Sequence, residues 1–270
     1  MLTRLPSPLL RSFVQLLWAS DPSDAPNTDQ RESVLPTGHA HLVLRTAGDP
    51  VRVLRSTLDP MGSSLAYAVV GGARLAPYVR CVAPGASAGA MLWPGGIRLL
   101  FAGPAEELAE RHLPLADLWG DAASEEARER IALAGPASAR LDALDRLLLR
   151  RLPRMHGLHP AIAAAVAHLE ASVDVGAACR RTGYSHRHFV ALFRDAAGLP
   201  PKLYARVRRF QRTVARLGST PRAAIGEVAA LLGYADQAHL HREFLEFSGV
   251  APGCYRRIAP AQANHLPAGP

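Results

Sequence analysis

Cysteine is scarce in this 270-residue sequence: Cys81, Cys179 and Cys254 are the only three, and they lie far apart. That spacing excludes a disulfide framework and a CxxC-type zinc site, so buried or idle thiols are expected. Long apolar runs are missing too. None approaches the roughly 18 residues that a membrane-spanning helix needs. The opening Met1-Leu2-Thr3-Arg4, followed by Pro6 and Pro8, lacks the apolar stretch and small-residue cleavage site of a secretory signal. The expectation is a soluble, cytoplasmic protein with no membrane partner.

Acidic residues are the next shortage. Lys and Arg number 31 against 23 Asp and Glu, a formal net charge of +8. Leu158 to Ile258 alone holds 14 Lys and Arg against 7 Asp and Glu, so nearly the whole excess sits in that segment. A segment this basic attracts polyanions, of which nucleic acid is the commonest inside cells. Charge by itself leaves membrane headgroups and RNA equally open. The length favours two domains, each able to bury its own core.

What is present decides more. Val175-Gly-Ala-Ala-Cys-Arg-Arg-Thr-Gly-Tyr184 returns as Ile225-Gly-Glu-Val-Ala-Ala-Leu-Leu-Gly-Tyr234, fifty residues later. Phe193, Gly198, Leu199, Pro201 and Tyr204 then match Phe244, Gly249, Val250, Pro252 and Tyr255 at an offset of 51. One supersecondary unit occurs twice.

Each copy reads as helix, tight turn, helix. In the first, Gly183 stops one helix and Ser185 caps the next. Phe189, Leu192, Phe193 and Ala196 share the packing face, leaving Arg187, Val190, Ala191 and Arg194 on the other. In the second, Gly233 is the stop and Asp236 the cap, with Leu240, Phe244 and Phe247 inward and Gln237, Ala238, His241 and Arg242 outward. A short helix presenting Arg and Gln beyond a Gly turn suits reading of the major groove, because Arg donates bidentately to guanine and Gln pairs with adenine. Between the copies, Lys202 to Leu217 carries Leu203, Val207, Phe210, Val214 and Leu217 at helical spacing. It is expected to be a rigid spacer. Arg206, Arg208, Arg209, Arg212 and Arg216 line its polar face, and Arg206 and Arg209 are the candidate phosphate contacts, a solvated basic face being the alternative.

On these residues Leu158 to Arg257 resembles the DNA-binding domain of the AraC/XylS family of bacterial transcription regulators. The paired Gly-Tyr turns, the Phe-Arg-Asp-Ala-Ala-Gly-Leu-Pro-Pro segment from Phe193 and the closing Phe244-Leu-Glu-Phe-Ser-Gly-Val-Ala-Pro-Gly-Cys-Tyr-Arg-Arg257 carry the resemblance. Ala178-Cys179 stands where the family has a larger aliphatic followed by Ala, and Leu240 where an aromatic is common, which implies altered packing. The resemblance implies two recognition helices entering adjacent major-groove segments of double-stranded DNA. Ser185, His186, Arg187, Val190, Ala191, Arg194, Asp236, Gln237, Ala238, His241 and Arg242 are the candidate DNA contacts. His186 and His188, and His239 and His241, are spaced two apart on helices, so each pair points in different directions and suits solvent or phosphate better than a metal.

The first half has a different texture. Phe13 to Trp18, His41 to Leu44, Val51 to Leu54 and Leu65 to Val70 are short apolar stretches separated by Gly, Pro and Asp clusters, which read as strands. From Gly96 the pattern turns helical: Pro104 to Leu108, Ser124 to Ala134 and Pro136 to Leu152, the last with Leu141, Leu144, Leu148 and Leu152 along one seam. That seam fits a second subunit, giving a homodimer, or packing on its own domain. Leu35-Pro-Thr-Gly38, Trp93-Pro-Gly-Gly96 and Leu115-Ala-Asp-Leu-Trp-Gly120 resemble, more loosely, the sensory domains of AraC-type regulators. These are often cupin-like barrels, so a pocket for a small-molecule effector is implied. His39 and His41 would share one face of a strand as the start of a metal site, but Arg45 stands where a cupin motif wants a carboxylate. Structural or ligand hydrogen-bonding roles are favoured for both. Trp18, Trp93 and Trp119 read as core rather than pocket lining.

The expected fold is α+β, with a β-rich, cupin-like barrel and helical extension over 1–155, an all-α domain of two helix-turn-helix units joined by a long helix over 156–260, and a flexible tail over 261–270. The expected function is a ligand-responsive, sequence-specific transcription factor, with RNA polymerase a further partner the family reading allows. No cofactor, metal or catalytic residue is expected. Two rival readings are a constitutive DNA-binding protein with a structural N-terminal domain and an enzyme fused to a DNA-binding domain. A cupin enzyme lacks a complete ligand set here, and alkyl-transfer repair lacks the clustered thiols.

Overall fold

The computed structural model describes residues 1–21, 30–54, 62–153 and 159–268. Its first half is β-rich. β1 (Leu2–Arg4), β2 (Val14–Ser20), β3 (Gln30–Val34), β4 (Ala40–Arg45), β5 (Arg52–Leu54), β6 (Ser63–Ser64), β7 (Ala68–Gly71), β8 (Tyr78–Val82) and β9 (Ser87–Leu92) come first. Then follow α1 (Gly96–Phe101), α2 (Ala105–Leu108), β10 (His112–Pro114), α3 (Ala116–Trp119), α4 (Asp121–Ala132) and α5 (Ala137–Arg151). One antiparallel sheet runs β1-β2-β9-β4-β7-β10. Alternation along β4 shows how it is built: Ala40, Leu42 and Leu44 are buried, while His41, Val43 and Arg45 are only half-buried. The buried set packs with Leu17, Ala90 and Leu92 against Ile97, Ile131, Leu141, Leu144 and Leu148. The leucine seam of α5 therefore covers its own sheet, and the homodimer alternative loses that surface.

The second half is helical: α6 (Pro160–Ala171), α7 (Val175–Thr182), α8 (His186–Ala197), α9 (Pro201–Ser219), α10 (Ile225–Leu231), α11 (Gln237–Ser248) and α12 (Pro252–Ile258). Two apolar clusters divide it. Ile162, Leu169, Phe189, Phe193, Leu199 and Tyr204 build the first, and Val207, Phe210, Val214, Val228, Leu240, Phe244, Phe247 and Tyr255 the second. Helix α9 belongs to both. Tyr204 and Ala205 face the first cluster and everything from Val207 the second, so the buried stripe turns around the helix at that point. This is why Leu203, expected on the apolar face, is only half-buried while Tyr204 is fully buried.

The cores are not confined to their own halves. Ala73 enters the first helical cluster and Leu35 the second. The segment expected to be a flexible tail also departs from expectation: β11 (His265–Pro267) pairs antiparallel with β3, heading a second sheet β11-β3-β8-β5-β6, and its Leu266 is buried in the second helical cluster. An apolar Leu on a pairing strand makes the tail part of the fold. The domain boundary expected at 155/156 lies outside the described residues.

Candidate nucleic-acid interface

Local chemistry shapes both helix-turn-helix units alike. Gly183 and Gly233 end α7 and the α10 turn at φ 73° and 75°, where a side chain would be strained. Two residues after the first, Ser185 Oγ accepts from the His188 amide at 3.4 Å, and Asp236 Oδ1 accepts from the His239 amide at 2.6 Å. Helices α8 and α11 thus start on side-chain caps, and Ser185 and Asp236 act as those caps. Beyond them, Arg187, Ala191, Arg194, Gln237, Ala238 and Arg242 are exposed, while Val190 and His241 are half-buried. Among the described residues, Arg187, Gln237 and Arg242 have no side-chain hydrogen bond or ion pair. The histidines divide by role. His186 is exposed, His188 meets the Tyr184 ring edge-on at 4.7 Å, and His239 meets Tyr234 edge-on at 5.3 Å.

The arginines of α9 behave differently from expectation. Arg209 is 6% exposed, and its guanidinium donates to both oxygens of Glu243 on α11, at 2.9 and 2.7 Å, and to the Gly233 carbonyl at 3.1 Å. Arg206 donates to Glu243 at 2.9 Å and to Glu246 at 2.6 Å. Burial pushes the Glu243 carboxyl up, but the hydrogen bonds and charges of Arg209 and Arg206 outweigh it and hold the group below the usual carboxylate range. Neither arginine is free for phosphate. Glu243 was missed in the sequence, although it sits between Leu240 and Phe244 on the inward face, where a carboxylate needs a partner.

Arg208 and Arg212 are engaged on the other side of α9. Arg208 donates to Glu170 of α6 at 2.9 Å and to the Thr37 carbonyl at 2.7 Å, and Arg212 donates to the Glu170 carbonyl. Tyr204 also donates to Glu170. The long helix is a brace for both units.

Residues 178–258 match the family described as a helix-turn-helix domain, and residues 2–114 match a domain of unknown function, DUF6597. The chain is 39% identical over 77 residues to the F1 operon positive regulatory protein of Yersinia pestis, a match taking in 28% of this chain and 25% of that relative. Over its C-terminal segment the chain is thus similar to helix-turn-helix proteins, and it spans a quarter of the length of that positive regulatory protein. Among solved structures, ToxT from Vibrio cholerae is similar over 91% of this chain and 98% of its own, at 8% identity and a TM-score of 0.46. The xylose-binding transcription activator xylR is similar over 45% and 38%, at 16% identity and a TM-score of 0.32.

The N-terminal half reaches α8 of the first helix-turn-helix unit directly. The Gly95 amide donates to the Ala196 carbonyl at 2.6 Å, Arg98 pairs with Asp195, and Arg194 pairs with Glu106 at 3.3 Å. One expected reader, Arg194, is therefore held by the N-terminal half. His39 and His41, expected on one strand face, are separated. Gly38 turns the chain at φ 77° and β4 begins only at Ala40, so the two-residue alternation does not reach back to His39.

His39 lies fully buried at the junction of the halves, edge-on to Trp93 at 4.9 Å, 3.6 Å from Glu170 and 3.4 Å from the Tyr204 hydroxyl. Burial lowers its pKa despite Glu170. His41 points between the sheets, stacked 6.4 Å from Tyr78 of β8 and tilted against His112 of β10 at 5.4 Å. Burial, then neighbouring charges, lowers His41 to about 4 and His112 to about 3, so both imidazoles are neutral at neutral pH. Among the described residues no three His, Cys, Asp or Glu side chains gather as a metal-ligand group. No helix among them is long and apolar enough to cross a membrane.

Proposed function

We propose that this chain is a sequence-specific DNA-binding transcription factor that places α8 and α11 in adjacent major-groove segments of double-stranded DNA. The observation that carries this is the repetition of one capped, glycine-terminated unit with free, exposed Arg187 on α8 and free, exposed Gln237 and Arg242 on α11. Arg187 reads guanine and Gln237 reads adenine, with His186, Val190, Ala191, Ala238 and His241 along the same faces. The N-terminal half regulates this activity. A small-molecule effector entering between the sheets meets His41, Tyr78 and His112, three uncharged hydrogen-bonding rings in one cluster.

Spacing on DNA tests the reading. α9 holds the units at a set separation, so one chain covers two segments about one helical turn, roughly 10 base pairs, apart. A duplex selected by the full-length protein from a random pool, then lengthened by zero to ten base pairs between its halves, should bind most weakly near five inserted pairs. A flat series means that only one unit reads DNA or that the units act independently.

A further inference from the structure

The chain leaves the second unit after α12 and returns to the N-terminal sheets. His265, Leu266 and Pro267 lie opposite Val34, Ser33 and Glu32. The Leu35 amide donates to the Asn264 carbonyl at 2.9 Å, and the Ala268 amide to the Arg31 carbonyl at 2.9 Å. Leu266 is 2% exposed, in the same cluster as Leu35, Val207 and Phe210. Gln211 of α9 bridges the join, donating to the Pro36 carbonyl at 2.8 Å and to Asn264 Oδ1 at 2.9 Å. One charged catch sits on the strand. Glu32 accepts from Arg80 of β8 at 3.0 Å and lies 2.9 Å from His265 Nδ1.

We propose that β11 is a releasable, autoinhibitory strap that fastens the second helix-turn-helix unit to the N-terminal sheets, and that its release favours DNA binding. The proposal rests on the DNA-reading function above. The first unit is tied to the N-terminal half through α1, α2 and the His39 junction, and the second through Leu35, the Gln211–Pro36 hydrogen bond and the strap, so the relative placement of α8 and α11 is set partly by a third body. Two recognition helices settling into a groove work against at least one of these ties. The strap is a three-residue edge strand, held by the Leu266 anchor, the mostly buried His265–Glu32 catch, the Gln211–Asn264 bridge and two flanking backbone hydrogen bonds, and such short edges open locally without unfolding the units they join. Coupling of this kind is reciprocal: if opening the strap strengthens DNA binding, then bound DNA opens the strap.

The test uses the full-length protein and a duplex that the unaltered protein selects from a random pool. Leu266→Asp removes the anchor, and Glu32→Gln with His265→Ala weakens the catch while leaving Leu266 in place. The expected result is about tenfold tighter binding by Leu266→Asp, an intermediate gain for the double variant, and faster hydrogen exchange at the Leu35 and Ala268 amides of the unaltered protein when the duplex is added. Equal or weaker binding by cooperatively folded variants, or unchanged or slower exchange at those two amides, overturns the strap. If Leu266→Asp does not fold, the double variant and the exchange measurement decide. If the unaltered protein selects no duplex at all, the DNA-reading function fails and the strap with it.

Discussion

Glu243 sits on the inward face of α11, its carboxylate held 2.7 Å from the Arg209 guanidinium of α9. Both side chains are almost completely buried, and Arg209 also caps the Gly233 carbonyl in the turn before that helix. One ion pair therefore fixes α11 to the brace and to its own turn. Helix α9 is also pinned to α6 of the first unit by Arg208 and Glu170, so it links the two helix-turn-helix units through charges as well as apolar packing.

Removing one partner of the buried pair should be far worse than removing both. Arg209→Ala leaves an uncompensated carboxylate and should cost about 3–5 kcal/mol of stability, whereas Arg209→Met with Glu243→Leu should recover most of that loss. Denaturant unfolding of the three proteins measures this. A single-variant loss below about 1 kcal/mol would mean that the pair is solvated and does not fix α11.

Base reading and bracing should separate in the binding data. Arg187→Ala should lose about 1–3 kcal/mol on the selected duplex and relax preference at one base pair, with folding stability unchanged. Arg206→Ala should act chiefly on stability, through Glu243 and Glu246. Equal loss of affinity for Arg187→Ala on selected and random DNA would remove Arg187 from the readers.

Arg194 is held by Glu106 across the junction, with both side chains about half-exposed. Exposed pairs are weak, at most about 1 kcal/mol, so Glu106→Gln should tighten DNA binding by no more than about fivefold and steepen its salt dependence by roughly one counterion. Titrations at several salt concentrations read both quantities. Unchanged affinity and slope would place Arg194 off the DNA.

The His39–Glu170 junction should weaken in acid. Burial raises the Glu170 carboxyl, but the hydrogen bond from His39 and the charge of Arg208 prevail and bring it down to about 2. A depressed carboxylate contributes stability above its ordinary pKa, and that contribution is lost as pH falls from about 4.5 towards 2. His39 is depressed as well, chiefly by burial, so its share is present above its ordinary value of 6.5 and declines as pH drops below that. Unfolding midpoints between pH 7 and pH 3 should fall in two stages. His39→Phe should flatten the upper stage and Glu170→Gln the lower; a His39→Phe profile parallel to the original would show that the imidazole does not couple to folding.

The sequence by itself determined the two helix-turn-helix units, down to the Gly183 and Gly233 stops, the Ser185 and Asp236 caps and the exposure of Arg187 and Gln237. All of these are settled within a few residues, by backbone conformation, capping and the helical repeat. It also located four strands of the first half, β2, β4, β5 and β7, from short apolar stretches between Gly, Pro and Asp clusters. Tertiary structure decided which charges remain free. Arg206 and Arg209 read as phosphate contacts until Glu243, 34 residues beyond Arg209, takes both of them. It decided the fate of His39, which a turn at Gly38 carries out of register with His41 and into contact with Glu170. It also made a strand of the expected tail, because the pairing of β11 depends on β3 more than two hundred residues away. Local propensity writes caps, turns and faces into neighbouring residues, whereas the partner of a buried charge or an edge strand is chosen only when distant segments meet and each polar group must find a hydrogen bond.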